Sequence, residues 1–350
     1  MNEKKTIAVV FGGCSPEYNV SLESAAGVLA HLDRDRFTPI PVGITQQGDW
    51  FLFSGDLAQI PHNTWRQGPC TPACISPNRS DHALLVFDPA GLRRIRLDAV
   101  LPILHGQNGE DGTVQGLSAL AGIPVAGCGV LASALCMDKD RAHRLVAAAG
   151  IPAPRAVTLA QGYDRATVAA QAAGLGYPLF VKPVRAGSSF GVAKVRRPGD
   201  LFAAIDNAFY YDDHVMLEAQ ISGFEVGCAV LGSDAPLTGV PDEIELQGDL
   251  FDFQEKYHLT TSKIHIPARI TPEQTAAVQE TARRVYQILG CSGFARVDLF
   301  LTPEGRIIFH EVNTIPGFTP HSRFPSMMQA AGLSFREVLS RILDAALEEA

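Results

Sequence analysis

The chain has 350 residues, a formal net charge of −8, 46% hydrophobic residues and 19% charged residues. This composition is typical of a globular protein of two or three domains, and the negative charge argues against nucleic acid or an anionic membrane as a partner. No apolar run is long enough for a signal peptide or a membrane span. The seven cysteines include no C-x-x-C pair, so we expect free thiols in a reducing cytoplasm.

A strand, a glycine turn and a helix open the chain. Thr6–Gly13 is apolar and ends in two glycines, and a helical pattern follows over Leu22–Leu32. This arrangement leaves backbone N–H groups at the turn available to an anion. Glu17 lies just before the helix, and two interpretations of it stay open: it favours the helix N-terminus, or it directs a carboxylate at a substrate amine.

The next segments predict a loop, a strand and a ligand-binding turn. Residues 54–90 are rich in Pro, Asn, Gly and Ser and are interpreted as loop. Asp98–Leu104 is a predicted strand, and residues 105–113 after it carry three glycines, a histidine and two acids. We expect this turn to bind a ligand at the carboxyl end of the strand. The alternative is a tight turn that leads into the helix Val114–Ala121.

The segment Gly127–Ala132 matches G-x-G-x-x-A after a short predicted strand at Ile123–Ala126. A dinucleotide site is rejected, because the acidic residue expected about 20 positions later is missing. A helix is predicted over Ser133–Ala149 instead.

A glycine-serine segment, residues 184–192, joins two predicted strands, Leu179–Pro183 and Ala193–Val195. Such a flap can fold over nucleotide phosphates with backbone N–H and hydroxyl donors. Lys182 would add a positive charge to it. An ordinary hairpin turn beside an exposed lysine is the alternative. Glu218 ends the next strand, where it could contact an adenine edge.

Gly248–Lys263 is polar and aromatic without a steady period, which predicts a lid that excludes water. A helix follows over Thr271–Leu289, with Thr271 as N-cap and Pro272 at the first helical position. The final segment, Ser326–Ala350, is predicted to be helical with a break near Gly332.

Ala295–Phe318 predicts a hairpin that gathers polar side chains on one face. A polar turn of four residues would pair Leu301 with Arg306. Alternation along each strand then brings together an arginine, two carboxylates and an amide, namely Arg296, Asp298, Glu311 and Asn313. The opposite face, expected to join the core, holds Val297, Leu299, Ile308 and Val312.

This polar face is a set of hard oxygen ligands. Mg²⁺ binds such oxygens together with water and substrate phosphates. We therefore predict a magnesium site at Asp298, Glu311 and Asn313. Zinc is rejected, because no cysteine is present and His310 is assigned to the other face. Arg296 and the backbone N–H of Gly317 could stabilise an oxyanion. A solvated face with a salt bridge is the alternative.

Taken in order, these motifs resemble those of the D-alanine–D-alanine ligases of the ATP-grasp superfamily along essentially the whole chain. The motifs are F-G-G-C-S-P-E-Y-N-V-S at 11–21, L-H-G-Q-N-G-E-D-G-T at 104–113, M-D-K at 137–139, V-K-P-V-R-A-G-S-S-F-G-V at 181–192, E-K-Y at 255–257, R-V-D at 296–298 and E-V-N-T-I-P-G-F-T at 311–319.

The resemblance implies an α/β ATP-grasp fold of three lobes. An N-terminal open parallel sheet would cover residues 1–127. Two α+β lobes would sandwich ATP: a central lobe with the flap over 128–223, and a C-terminal lobe with the lid and the metal hairpin over 224–350.

The resemblance also implies a reaction. ATP phosphorylates the carboxylate of a first D-alanine, and the amine of a second substrate attacks the acyl phosphate and expels phosphate. Two Mg²⁺ ions, for which Mn²⁺ could substitute, would clamp the ATP phosphates. The product would be D-Ala–D-Ala for peptidoglycan precursors, made from small-molecule substrates by a cytoplasmic homodimer.

The matching positions carry further implied roles. Nucleotide contacts are assigned to Lys139, Lys182, Ser189, Glu218, Ile221, Glu225 and Lys256. Glu17 would bind the ammonium group of the first substrate, with Val20 and His105 beside it. A network that ties the lid over the site is assigned to Glu17, Ser188 and Tyr257. Arg296 and Gly317 would stabilise the oxyanion. Ser322, with Gly317, would bind the carboxylate of the second substrate.

Some residues depart from the common family pattern. Many members have a histidine at the position of Tyr18, and several have an apolar residue at the position of Arg323. Three other features resemble the ligases of glycopeptide-resistance clusters, which join D-alanine to D-serine or to D-lactate: Cys14, the E-K-Y segment with T-S-K-I-H-I-P-A-R-I after it, and S-R-F-P at 322–325. Lys256 and Tyr257 resemble the amine-using members, so D-serine is an alternative second substrate, with Arg323 as a donor for its hydroxyl. A different ATP-grasp carboxylate–amine ligase and a non-catalytic nucleotide sensor are the remaining alternatives.

Overall fold

The structure, a computed structural model, describes residues 4–245 and 263–348. Within these ranges the strands form three sheets, of seven, four and six strands. We call them the N-terminal, central and C-terminal sheets. The predicted lid and its residues Lys256 and Tyr257 lie outside the described residues. No helix in the described ranges has both the length and the apolar character that crossing a bilayer requires.

The N-terminal sheet has the order β6-β5-β4-β3-β2-β1-β7. Its strands are β1 Lys5–Gly12, β2 Phe37–Ile44, β3 Trp50–Phe53, β4 Cys70–Ile75, β5 Ala83–Asp88, β6 Gly91–Arg96 and β7 Ala99–Ile103. Two helices belong to this part of the chain, α1 Tyr18–His31 and α2 Thr113–Ala121. The predicted first strand and first helix are confirmed, although the helix already begins at Tyr18.

Only part of the N-terminal sheet is parallel. β1 pairs in parallel with β2 and β7, whereas β2 through β6 pair antiparallel. The prediction of an open parallel sheet is therefore wrong for its outer half. The loop interpretation of residues 54–90 is also wrong, because β4 and β5 lie there. These strands are short and bounded by Pro and Asn turns, so cross-strand pairing rather than local pattern specifies them.

The central sheet is antiparallel and has the order β10-β9-β11-β8. Its strands are β8 Ala156–Ala160, β9 Leu179–Pro183, β10 Ala193–Val195 and β11 His214–Ala219, and its helices are α5 Arg165–Leu175 and α6 Leu201–Ala208. β9 and β10 pair directly, with Val181 opposite Ala193. The predicted strand–flap–strand arrangement is confirmed.

The C-terminal sheet runs β15-β14-β12-β16-β17, with β13 paired to β12. Its strands are β12 Phe224–Leu231, β13 Leu237–Thr238, β14 Asp242–Glu245, β15 Lys263–His265, β16 Phe294–Leu301 and β17 Ile307–Asn313. The remaining helices are α3 Val130–Met137, α4 Lys139–Ala148, α7 Pro272–Ile288, α8 Arg323–Ala330 and α9 Phe335–Glu348. The predicted cap of α7 is confirmed as a capping box between Thr271 and Gln274.

The single helix predicted over residues 133–149 is wrong. Asp138 has extended backbone (φ −86°, ψ 95°) and ends α3, and its carboxylate accepts the Arg141 N–H and so caps α4. An aspartate can compete for backbone N–H groups in this way, which a pattern of apolar residues does not reveal.

Hydrophobic cores cross the predicted domain limits. Cys136 and Val146 from α3 and α4 pack in the core of the C-terminal sheet. Phe324 from α8 and Ile342 from α9 pack in the core of the N-terminal sheet. The limits at residues 127 and 223 stay predictions.

The hairpin β16–β17 carries a β-bulge that the sequence pattern does not show. Arg296 lies opposite Asn313 and Asp298 opposite Glu311, but the register then shifts, and Leu301 pairs with Ile307. The predicted pairing of Leu301 with Arg306 is wrong. An extra residue in one strand reverses the faces of the residues beyond it.

The bulge has two consequences for side chains. Phe309, fully buried, packs with Val297 and Leu299 in the core position predicted for Ile308. His310, assigned by alternation to the face away from the site, instead borders the same cavity as Glu311. The assignment of His310 to the face away from the site is therefore wrong, because the inserted residue interrupts the alternation of side chains.

Candidate active site

A cavity of about 420 Å³, here the main cavity, is bordered by both the central and the C-terminal sheets. Its apolar wall includes Phe180, Val192, Ile221, Phe224 and Phe300. It is also bordered by all the predicted nucleotide residues that are described: Lys139, Lys182, Ser189, Glu218, Ile221 and Glu225. A cleft with apolar walls and a few charged groups is the common form of a small-molecule site.

A buried ion pair lies in the wall of the main cavity. Lys182 Nζ is 2.7 Å from Glu218 Oε2, and both side chains are about 95% buried. The angle at this contact is not that of a hydrogen bond, and neither atom has a hydrogen-bond partner among the described residues. Glu218 Oε2 also lies 3.8 Å from His143 Nδ1. Burial raises the pKa of Glu218, but the Lys182 ammonium together with His143 and His310 outweighs burial and leaves that pKa below its ordinary value. Glu218 is therefore an ionised acceptor, and the pair retains hydrogen-bonding capacity for a ligand.

The flap is joined to the N-terminal sheet through Glu17. Ser188 Oγ donates a hydrogen bond to Glu17 Oε1. Although Glu17 precedes α1, its carboxylate caps no helix N–H, which favours the interpretation that it is directed into the site. Gly106 and Gly187 give it room, because a Cβ would come 2.5 Å from Glu17 Oε2 at Gly106 and 2.7 Å from it at Gly187.

The two flap serines have unusual backbone conformations. Ser188 and Ser189 have φ of 47° and 60°, in the left-handed region that L-residues rarely adopt. Such strain is found at ligand clamps, where the surrounding contacts hold it. Lys139 supplies one of these contacts by donating from Nζ to Ala186 O at 2.7 Å.

His105 is buried, and both of its ring nitrogens have partners. Nδ1 lies 2.8 Å from Ile315 O, and Nε2 lies 3.2 Å from Ser24 Oγ. Burial lowers the pKa of His105, so the ring is neutral. The histidine thus ties the loop after β17 to the N-terminal sheet, and its contact with substrate stays a prediction. Val20 lies half-buried on α1, one turn beyond Glu17.

Sequence reasoning missed Glu110 as a site residue. Its carboxyl accepts the Gly106 N–H at 2.7 Å and the Ile315 N–H at 3.2 Å, and so joins the ligand loop 105–113 to the loop after β17. Burial, together with the charge of Glu17, raises its pKa to about 8. Its place in a glycine-rich loop at a strand end was the available signal.

The polar face of the hairpin forms as predicted. Arg296 donates to Asp298 at 2.8 Å from Nε and 2.7 Å from Nη2, and Asn313 Nδ2 donates to Asp298 Oδ2 at 2.9 Å. Burial raises the pKa of Asp298, but the guanidinium groups of Arg296 and Arg323 outweigh burial and hold that pKa below its usual value. Glu311, opposite Asp298, lies 3.8 Å from Lys139 Nζ at the edge of the main cavity.

These residues fit a magnesium ion. Two carboxylates face each other across the ladder, with an amide beside them, and Glu311 borders the space that phosphates would occupy. Because Asn313 donates its amide N–H₂ to Asp298, its Oδ1 remains oriented as an acceptor. Hard oxygens of this kind suit Mg²⁺ or Mn²⁺.

Arg323 lies in a cluster of carboxylates that the sequence did not predict. Its Nε and Nη2 bind the two oxygens of the fully buried Asp242 at 2.6 and 2.8 Å. The same guanidinium lies 3.2 Å from Glu225 and 3.3 Å from Asp298. Arg323 thus links Glu225, which borders the main cavity, to Asp298 on the polar face of the hairpin, and its contact with a substrate stays a prediction.

The loop after β17 brings Gly317 and Ser322 together. A Cβ at Gly317 would lie 3.0 Å from Ser322 Oγ. That hydroxyl accepts the Thr319 N–H at 3.0 Å and lies 2.8 Å from Thr319 Oγ1. Gly317 and Ser322 are therefore neighbours, and their binding of the second substrate's carboxylate stays a prediction.

Two family models cover this chain. Residues 6–128 match the D-ala D-ala ligase N-terminus, and residues 145–344 match the D-ala D-ala ligase C-terminus. The chain belongs to the D-Ala–D-Ala ligase family. Membership in this family of ATP-dependent ligases implies ATP as a substrate, with Mg²⁺ as its usual metal, and small-molecule D-amino acids as the groups to be joined.

Relatives of this family member act on different second substrates. It is 46% identical to a putative D-alanine–D-lactate ligase of Streptomyces coelicolor, over 97% of both chains. It is 38% identical to a D-alanine–D-alanine ligase of Caldicellulosiruptor bescii, over 99% of this chain and 96% of the relative. Among solved structures it resembles the VanG D-Ala:D-Ser ligase from Enterococcus faecalis, with 51% identity, a TM-score of 0.92 and coverage of 98% and 100%.

Proposed function

We propose that this family member uses ATP to activate D-alanine as an acyl phosphate and joins it to a second D-amino acid, D-alanine or D-serine. The observation that carries this proposal is the main cavity. It brings two lysines of the central part of the chain and the carboxylate Glu311 to one wall. The fold is then an ATP-grasp fold, in which the central and C-terminal sheets hold ATP between them.

ATP would lie along the main cavity, with its base near Glu218 and Ile221 and its phosphates near Lys139 and Lys182. Asp298, Glu311 and Asn313 would hold Mg²⁺, which neutralises phosphate charge. A carboxylate oxygen of the first D-alanine attacks the γ-phosphorus, and ADP leaves. The second amine then attacks the acyl carbon, and inorganic phosphate leaves as the new amide forms.

Glu17 would bind the ammonium of the first D-alanine. Its carboxylate accepts from Ser188, so the flap that covers the phosphates and the group that binds the amino acid are one connected unit. This connection would bring the carboxylate of D-alanine next to the γ-phosphate, which is the main requirement for phosphoryl transfer. Arg296 would stabilise the oxyanion that develops at the acyl carbon.

D-Serine is the second substrate that one specific observation favours. The guanidinium of Arg323 is fixed by Asp242 and Glu225 and lies 3.3 Å from Asp298. A rigidly held guanidinium, with N–H groups beyond those that bind these carboxylates, would then lie next to the expected position of the second substrate. A buried donor distinguishes a hydroxyl from a methyl group better than an apolar pocket does. The likeness to a D-Ala:D-Ser ligase supports the same choice.

Product analysis tests both the proposed ligase reaction and the proposed choice of second substrate. The enzyme is given ATP, Mg²⁺ and an equimolar mixture of D-alanine, D-serine and D-lactate, and its products are identified by mass spectrometry while phosphate release is measured. We expect D-Ala–D-Ser and D-Ala–D-Ala, with D-Ala–D-Ser in excess. Phosphate release is measured in parallel with L-amino acids and with bicarbonate, and faster release with either of them than with D-alanine would overturn the ligase assignment. ATP binding without turnover would favour the sensor alternative.

A matched variant tests the role of Arg323. Arg323→Lys keeps a positive charge opposite Asp242 but loses the planar pair of donors. We expect the ratio of D-Ala–D-Ser to D-Ala–D-Ala to fall about tenfold, as for the loss of one specific hydrogen bond. An unchanged ratio would remove Arg323 from second-substrate selection.

A further inference from the structure

The mechanism above leaves one histidine of the main cavity without a role. His310 lies in the bulge of β17, directly before Glu311, and borders the main cavity together with Phe300 and Lys182. Its ring centroid lies 4.6 Å from that of Phe300, with the planes tilted by 47°. The bulge is what turns this side chain toward the cavity, since plain alternation would point it away.

The two ring nitrogens of His310 have different surroundings. Nδ1 is buried and has no hydrogen-bond partner among the described residues. The one contact from the neighbouring His143 goes to the backbone carbonyl of His310, at 2.8 Å from Nε2 of His143. Nε2 of His310 is not enclosed in this way.

These surroundings select a tautomer. A buried N–H without an acceptor is rarer and more costly than a buried acceptor without a donor. The ring proton therefore belongs on Nε2, and Nδ1 carries the lone pair. His310 then presents an N–H donor from the part of its ring that is open to the cavity.

The position of His310 along the cavity indicates which part of a nucleotide it would meet. Glu218, at the expected base end, and Glu311, at the expected metal end, both border the same space as His310. Because His310 borders the cavity together with both groups, we expect its donor to lie between the base and the terminal phosphates. The acceptors in that part of a nucleotide are the ribose oxygens and the α-phosphate oxygens.

We propose that His310 is a nucleotide-binding residue, which donates one hydrogen bond from Nε2 to a ribose or α-phosphate oxygen of the bound adenine nucleotide. The inference rests on the proposed function, because that function supplies the nucleotide. The tilted contact with Phe300 restricts the orientation of the ring, so the donor is held in place before the nucleotide arrives.

ADP binding to the whole protein, measured by calorimetry in the presence of Mg²⁺, tests the proposal. His310→Phe keeps an aromatic ring against Phe300 but has no donor. His310→Gln is the matched variant, because its amide nitrogen can reach the position of Nε2. We expect ADP to bind about 5- to 10-fold more weakly to His310→Phe, as for one lost hydrogen bond, and within about twofold of wild type to His310→Gln.

The outcomes separate this inference from the proposed function. No ADP binding by the wild-type protein would overturn the proposed function itself. Wild-type affinity in His310→Phe would overturn only the role of His310. Equal weakening in both variants would show that the ring acts by packing, which also overturns the hydrogen bond. With ¹⁵N-labelled histidine, NMR should report a protonated Nε2 whose resonance shifts on addition of ADP, and a protonated Nδ1 would contradict the assignment.

Discussion

The hairpin β16–β17 and the flap, residues 184–192, reach the same cavity but are held in different ways. Asp298 in the hairpin is 1% exposed and is bound by Arg296, two residues away in sequence. Ser188 in the flap binds Glu17, 171 residues away. The flap is further held by Arg185, which pairs with Asp212 and Asp213 at the surface.

The hairpin contacts are expected to contribute mainly to the stability of the fold, and the flap contacts mainly to the assembly of the site. The charges of the hairpin are buried with their partners, so removing one of them leaves an uncompensated charge in the interior. The flap contacts lie largely at the surface or join remote segments, so changing them alters the position of catalytic groups more than the free energy of unfolding. Substitutions in the two regions should therefore have different signatures.

Asp298→Asn should have the largest effect, because it breaks the hairpin's buried charge network. Arg296 and Arg323 would lose their shared carboxylate, and we expect the free energy of unfolding to fall by about 3–5 kcal/mol. Turnover should be lost as well, since Asp298 is a proposed metal ligand. Urea unfolding and phosphate release measure the two effects.

Glu311→Gln is the matched variant on the same face. Glu311 lies opposite Asp298 but at the edge of the cavity, so we expect the free energy of unfolding to change by less than about 1 kcal/mol. Turnover should fall at least about 100-fold through loss of a metal ligand. Normal activity at ordinary Mg²⁺ would remove Glu311 from the site, and equal destabilisation by both variants would contradict the comparison.

Gly106→Ala tests the contact that holds the flap. Its φ is +71° and an added Cβ would lie 2.5 Å from Glu17 Oε2, so the carboxylate that accepts from Ser188 must move. We expect kcat/KM to fall about tenfold or more from this misplacement. The left-handed backbone adds a loss of stability of about 1–2 kcal/mol.

Gly122→Ala provides the control for backbone strain. Gly122 lies at the C-terminus of α2 and has the same φ of +71°, but the atoms nearest to its added Cβ belong to the flexible side chain of Arg79. We expect a similar loss of stability with activity near that of wild type. If both variants lose activity alike, strain rather than the displacement of Glu17 explains the effect.

The last prediction concerns Glu110, whose effect appears only as a dependence of stability on pH. Its folded pKa of about 8 lies above the unfolded value near 4.5. The group therefore stabilises the fold fully below pH 4.5, and this contribution is lost as pH rises toward 8. In Glu110→Gln that part of the decline in the free energy of unfolding should be absent. Exposed Glu23→Gln should retain the wild-type slope, and an unchanged slope in Glu110→Gln would contradict the raised pKa.

The local sequence pattern predicted those features correctly that depend on only a few neighbouring residues. Glycine turns, the capping box at Thr271 and the alternation that unites Arg296 with Asp298 all depend on neighbours in sequence. The same kind of reasoning failed at Asp138, where a capping side chain splits a helix, and at residues 54–90, where short strands depend on pairing partners.

By itself the sequence determined the family, the oxygen-rich face of the hairpin and the strand–flap–strand unit, because these are written in motifs and in side-chain periodicity. Only the tertiary structure decided that Glu17 meets Ser188, that Asp242 binds Arg323, that Glu110 joins two loops and that His310 faces the cavity. Three of these depend on contacts between remote segments. The fourth depends on a bulge, since one inserted residue reverses the faces of a strand and leaves no mark in local hydrophobicity.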